Sequence, residues 1–154
     1  MSSELKIDHV KENDKNIIIF SGGIDEDSSF ESVPSLSGIV VFDLSGVDKI
    51  NSCGIREWIK FQDTLDPNLH ITYKGCSQVI VEQMNIIKGF VRAGGSIESF
   101  YAPYFDEGND SEIKILINPE EVINGKAPVK KNNEGVELEF DDIEAQYFNF
   151  LKGL

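Results

Sequence analysis

Residues 4–10 (Glu-Leu-Lys-Ile-Asp-His-Val) alternate polar and apolar, the two-residue period of a half-buried strand. Asn13-Asp14-Lys15-Asn16 is turn-like, and Ile17-Ile18-Ile19-Phe20 reads as a second strand, so the pattern predicts a hairpin. Residues 21–37 are rich in Ser, Gly, Asp and Glu and predict a loop holding one short helix. The run Ile39-Val40-Val41-Phe42, ending at Asp43, suits a central strand covered on both faces. After Asn51-Ser52-Cys53-Gly54 the period changes. Ile55, Trp58, Ile59 and Leu65 share one helical stripe, and Arg56, Glu57 and Lys60 fall elsewhere. His70-Ile71-Thr72-Tyr73 is strand-like. Ser77 is placed to cap a second helix whose Ile80, Met84 and Ile87 share a face, stopped at Gly89. Strand, helix, strand, helix in this order implies right-handed crossovers and parallel pairs, hence an α/β fold with a mixed sheet and the helices packed on one face, Trp58 buried beneath the first.

Beyond Gly94-Gly95 the character shifts. Residues 99–105 are aromatic and extended, interrupted by Pro103. Ile113, Ile115 and Ile117 alternate with other residues, as do Val136, Leu138 and Phe140 with glutamates, which predicts two short strands separated by a long polar loop. Asp141 with Glu144 three residues on has the form of a capping box opening a last helix, with Ile143, Tyr147, Phe150 and Leu151 as its apolar stripe. The expected division is a first domain over 1–97 and a small C-terminal α+β extension over 98–154. So short an extension has too little core to fold alone and is expected to pack on the first domain through Phe100, Tyr101, Tyr104, Phe105, Tyr147, Phe148 and Phe150.

Composition narrows the functional classes. Hydrophobic residues at 40% exclude a disordered chain, and no apolar run approaches the roughly 20 residues of a membrane-spanning helix. The N-terminus, Met1-Ser2-Ser3-Glu4-Leu5-Lys6, lacks the basic-then-apolar pattern of a secretory signal, so a cytoplasmic location is expected. Two cysteines, Cys53 and Cys76, are too few for a disulfide scaffold and read as reduced thiols, with a single bridge the alternative. A net charge of −13 repels nucleic acid and anionic membranes and favours solubility or a basic partner; most such acidic surface is simply solvated.

The segment Ile39-Val40-Val41-Phe42-Asp43-Leu44-Ser45-Gly46-Val47-Asp48-Lys49-Ile50-Asn51-Ser52-Cys53-Gly54-Ile55 resembles the STAS family, named for sulfate transporters and anti-sigma-factor antagonists. In that family an apolar strand ends in Asp-Leu-Ser and a short loop leads to Asp-Ser-Ser/Thr-Gly at a helix start. The preceding Phe20-Ser21-Gly22-Gly23-Ile24-Asp25 and the following strand and helix stand in the family's order, so the resemblance covers residues 4–100. It implies a non-enzymatic module of a bacterial-type signalling system, binding a kinase-like anti-sigma factor through Asp43, Asn51, Ser52, Cys53, Gly54 and Arg56. In antagonists of this kind the second hydroxyl of the motif is phosphorylated by that kinase. A hydroxyl at a helix N-terminus lies beside unpaired N–H groups that favour an anion, and a phosphate adds about −1.5 to −2 charges. Here Cys53 takes the phosphoacceptor position, Ser52 matches the first hydroxyl and is the candidate phosphorylation site, and Asn51 replaces the usual Asp.

Plainer readings stand beside these. Asn51 and Ser52 are preferred helix caps, and Cys53 is either a redox-sensitive thiol or, more economically, a small buried residue. His9 and His70 have no second ligand at metal spacing, the paired acidic residues lack the spacing of a calcium loop, and no catalytic set can be assembled, so no cofactor is expected. The turns at Asp106-Glu107-Gly108-Asn109 and Lys130-Lys131-Asn132-Asn133 give the C-terminal region a layout that resembles a zinc ribbon without its cysteines. The alternative function is a small-ligand or nucleotide sensor using the same loop, and a homodimer is compatible with either reading.

Overall fold

The computed structural model describes residues 4–153; residues 1–3 and 154 lie outside the described residues, and the N-terminal signal reading and the outer limits of both expected segments fall there. β1 (Lys6–Glu12) and β2 (Lys15–Ile24) form the predicted antiparallel hairpin, turning at Asn13, whose φ of 53° is one that asparagine tolerates. β3 (Ile39–Ile50), α1 (Ser52–Asp63), β4 (His70–Lys74), α2 (Gln78–Ile86) and β5 (Ser96–Ile97) follow in the predicted alternation. They complete a five-stranded sheet of order β1-β2-β3-β4-β5 in which β2 to β5 run parallel. β6 (Phe100–Asp106), β7 (Ser111–Ile117) and β8 (Glu139–Phe140) make a second, antiparallel sheet of order β7-β6-β8. α3 (Glu144–Tyr147) and a 3₁₀ turn (Asn149–Gly153) close the chain, which is a mixed α/β fold.

Burial follows the two-residue period. Ile18 and Phe20 of β2, Val40, Phe42 and Leu44 of β3, and Ile71 and Tyr73 of β4 are completely or almost completely buried. They meet Trp58 and Phe61 of α1, with the Trp58 ring edge-on to Phe20 at a centroid distance of 5.4 Å. Such aromatic pairs each add about 0.5–1.5 kcal/mol beyond area burial. The alternate positions Ile17, Ile19 and Thr72 are only half-buried, and Ile39 is exposed. β3 is therefore not covered equally on both faces. The crossovers from β3 to β4 and from β4 to β5 advance in the same direction along the sheet, and α1 packs on the face that carries Phe20 and Phe42. Val41 stays buried on the other side, flanked by β-branched Ile17 and Thr72 as its cross-strand partners.

The second sheet is tied to the first through β4's end. Cys76 bridges to Phe100: its N–H donates to the Ser99 carbonyl (3.2 Å) and its carbonyl accepts from Tyr101 N–H (2.8 Å). One hydrophobic cluster runs without a break from Ile18 to Phe150. On α2, Asn85 clamps the chain's last turns, donating from Nδ2 to the Tyr147 carbonyl (2.9 Å) and accepting from Phe150 N–H (2.7 Å).

Several expected details differ. Residues 25–38 hold turns and no helix. β3 does not end at Asp43 but continues beside β2 to Ile50. Pairing of Val136–Phe140 with β6 shrinks to two residues, because Val136, Glu137 and Leu138 pair instead with residues 130–132. The capping box at Asp141 does not form. Helix starts at Glu144, whose carboxylate instead accepts from Ala127 N–H (2.7 Å), and Ile143 is exposed, with Phe148 buried in its stead.

Candidate functional site

The N-terminus of α1 is held against the end of β2. Asn51 is its N-cap: Oδ1 accepts from Gly54 N–H at 2.7 Å, its own N–H donates to the Ile24 carbonyl at 3.2 Å, and Nδ2 donates to Glu26 Oε2 at 3.0 Å. Satisfying a first-turn N–H in this way stabilises a helix by about 1 kcal/mol. Gly54 is fixed by close approach, since a Cβ there would stand 2.1 Å from the Ile24 carbonyl oxygen. The Glu26 carboxyl is held below the usual carboxylate range by a backbone N–H of its own residue and then by the Asn51 amide, so it is ionised at neutral pH.

With Asn51 and Gly54 turned to the scaffold, Ser52, Cys53 and Arg56 are exposed on the same first turn and a half. The exposure of Cys53 overturns its reading as a small buried residue: the close fit of α1 is made one residue later, at Gly54, and Cys53 points away from it. Cys76 is the buried thiol, pushed up to about 12 by desolvation, and both cysteines are free. Beside Asn51 lies a cleft of about 410 Å³ between the end of β2 (Gly23, Ile24, Asp25), the end of β3 (Asp48, Lys49, Ile50) and Val79 of α2.

Asp43 does not join this group. It pairs with Ile19 of β2, five residues before Ile24, which places it about 17 Å along the sheet from the helix start. Its Oδ1 accepts from the N–H (3.0 Å) and hydroxyl (2.7 Å) of Ser45, a local bond within β3 beside its first register shift against β2. From there β3 takes seven steps where β2 takes five, through two irregularities, and Gly46 is needed because a Cβ would meet that of Ser21 at 2.7 Å. Ser77 is at the N-cap of α2 as predicted, yet its hydroxyl donates to the Val47 carbonyl (2.6 Å) and so ties α2 to β3 rather than capping its own helix.

Sequence reasoning missed Asp25 and Glu26, just after β2, and Asp48, near the end of β3, which surround the helix start; nothing in the local pattern separates them from solvated surface. It also missed the polar knot under α1. Trp58 Nε1 and Gln62 Nε2 both donate to the Phe90 carbonyl (2.9 and 2.8 Å), and the Tyr73 hydroxyl donates to Gln62 Oε1. Burial pushes the Tyr73 hydroxyl up to about 12, so it stays a donor.

In the C-terminal lobe the two polar turns are brought together through Asp106. Its carboxylate, 3% exposed, accepts from Asn109 Nδ2 (2.8 Å), Gly108 N–H (3.1 Å) and Asn132 Nδ2 (3.4 Å to each oxygen). These amide bonds, Asn109 first, hold the carboxyl below its usual range. Among the described residues no three His, Cys, Asp or Glu side chains are gathered as metal ligands, and no helix is long and apolar enough to cross a membrane.

Neither a protein-family model nor a curated protein matches this chain.

Proposed function

We propose that the protein is a non-enzymatic, STAS-like protein-interaction module of the anti-sigma-factor-antagonist kind, which contacts a protein partner through the loop and first helix over residues 51–58. The observation that carries this reading is the exposed trio Ser52, Cys53 and Arg56 on a helix start whose other residues, Asn51 and Gly54, are locked to β2. A rigid, pre-organised patch loses little freedom on binding, which is what a recognition surface requires. The exposed first-turn N–H groups and Arg56 offer positive potential inside an acidic frame of Asp25, Glu26 and Asp48, a mixed pattern suited to a protein surface. A thiol at position 53 is not a substrate for a serine kinase, so the module binds a kinase-like partner without being switched off at that position. Ser52, exposed one residue earlier, is the hydroxyl that could restore a switch.

Partner capture with the intact protein tests this. A histidine-kinase-like ATPase retained by the wild type and lost with Arg56→Glu supports the reading; equal retention by both defeats it. The cleft beside Asn51 favours a second reading, a small-ligand or nucleotide sensor. Its Asp25 and Asp48 carboxylates oppose a phosphate, which ranks it behind the first. A ligand-induced rise in melting temperature lost with Asp48→Arg would reverse that ranking.

A further inference from the structure

A second cavity lies far from the α1 site in sequence. It has a volume of about 570 Å³ and opens between the chain's last turns and the loop following β7. That size falls in the range of small-molecule sites, roughly 300–1,000 Å³. Its apolar lining comes from Val122 on the loop and from Phe148 and Leu151 on the last turns, with exposed Ala145 beside them. The loop wall is a built element. Ile123 and Lys126 pair across Asn124-Gly125, whose φ values of 53° and 74° make a tight two-residue turn. Glu144 ties this wall to α3: Oε2 accepts from Ala127 N–H (2.7 Å), and Oε1 stands 3.5 Å from Lys126 Nζ.

The charge on the rim is the informative feature. Two ammonium groups, Lys126 and Lys152, face one carboxylate, and that carboxylate is engaged at both oxygens. Among the described residues Lys152 makes no ion pair. An apolar cavity with a positive rim, on a chain of net charge −13, is complementary to a molecule with an apolar body and one anionic end. We propose that this cavity binds a small carboxylic acid with an unbranched or aryl apolar body, the body against Val122, Phe148 and Leu151 and the carboxylate at Lys152. This inference is independent of the α1 surface and stands or falls without it.

Calorimetric titration of the intact protein with sodium octanoate, paralleled by backbone amide shifts, tests the proposal. Each methylene buried is worth about fourfold in affinity, so hexanoate binds roughly sixteenfold more weakly than octanoate. Octylammonium binds at least about tenfold more weakly, because it brings a cation to two others. Lys152→Glu, an exposed substitution, weakens octanoate by about threefold to tenfold and leaves octan-1-ol unchanged. Ala145→Trp fills the cavity from an exposed position and abolishes binding while the melting temperature holds. The proposal is overturned if octylammonium equals octanoate, if Ala145→Trp binds octanoate as the wild type does, or if the amide shifts fall outside Val122, Phe148 and Leu151.

Discussion

The two sheets solve the same problem by different means. In the first, long strands and the twelve-residue α1 satisfy most backbone groups within regular elements, and side chains are released for packing: Phe20, Phe42, Trp58 and Phe61 form one aromatic cluster. In the second, the chain beyond the seven-residue β6 and β7 is mostly irregular, and side chains there are diverted to backbone work. Glu144 holds Ala127 N–H, Asp106 holds Gly108 N–H, the Tyr104 hydroxyl holds the Pro128 carbonyl (2.6 Å), and Asn132 Oδ1 accepts from both Glu134 and Val136 N–H. Irregular chain leaves N–H and C=O groups that must still be paired, and polar side chains are the available partners. The lesson is that a small lobe can hold a defined shape with little regular structure, but its stability then depends on the ionisation of a few carboxyls.

The largest effect tests whether the two regions are one cooperative unit. Trp58→Ala removes a fully buried ring and its bond to Phe90, and should cost about 3–5 kcal/mol in urea unfolding. Because the core is continuous, hydrogen exchange should accelerate in β6 and β7 as well as in β2 to β4. Retained protection of residues 100–117 would instead divide the molecule into independent halves. Asn85→Ala cuts the clamp between α2 and the last turns and should cost roughly 1–3 kcal/mol. Here faster exchange should be confined to residues 144–153, and a spread into β2 to β4 would contradict the contrast.

Acid should act unequally on the two regions. The Asp106 carboxyl is held low by the Asn109 and Asn132 amides, and Glu121 is held low by Lys130 at 2.8 Å. A carboxyl with a lowered folded value binds fewer protons than in the unfolded chain. Its stabilising contribution is therefore complete above the unfolded value, about 3.9 for Asp, and is lost as pH falls through the folded value. Protection at turns 107–110 and 132–135 should fall over that acid range in the wild type, and the fall should be blunted in Asp106→Asn. Equal slopes in the two proteins would remove Asp106 as the cause. The smallest effect is expected at Cys53→Ser. Since Cys53 is exposed, stability should change by no more than about 0.5 kcal/mol, rather than by the larger cost of placing a hydroxyl in a core. Incubated with a kinase-like partner, that variant should gain a phosphate at position 53 in peptide mapping; phosphate on wild-type Ser52 would show that the switch is shifted by one residue.

What could be read from the chain followed periodicity. The hairpin, β3's apolar run, the α1 stripe with Trp58 inward, β4 and β7 are each set by local alternation of side chains, because a strand or helix that buries one face must repeat every two or every 3.6 residues. The position of Asn51 at a helix start was legible for the same reason: a cap bonds within three residues of itself.

Tertiary structure alone decided the rest. Whether Cys53 or Gly54 meets the scaffold depends on where Ile24's carbonyl arrives, 30 residues earlier in the chain, and no local rule carries that distance. Ser77 and Glu144 had the residue types of caps, yet each hydroxyl or carboxylate found a better-placed partner in another segment, Val47's carbonyl and Ala127's N–H. Asp43 shares a motif with Asn51 in sequence but stands about 17 Å away along the sheet, because β3 remains a strand between them while β2 sets its length. Short polar side chains bond with whatever backbone group folding brings within about 3 Å, and that choice is made by packing rather than by pattern.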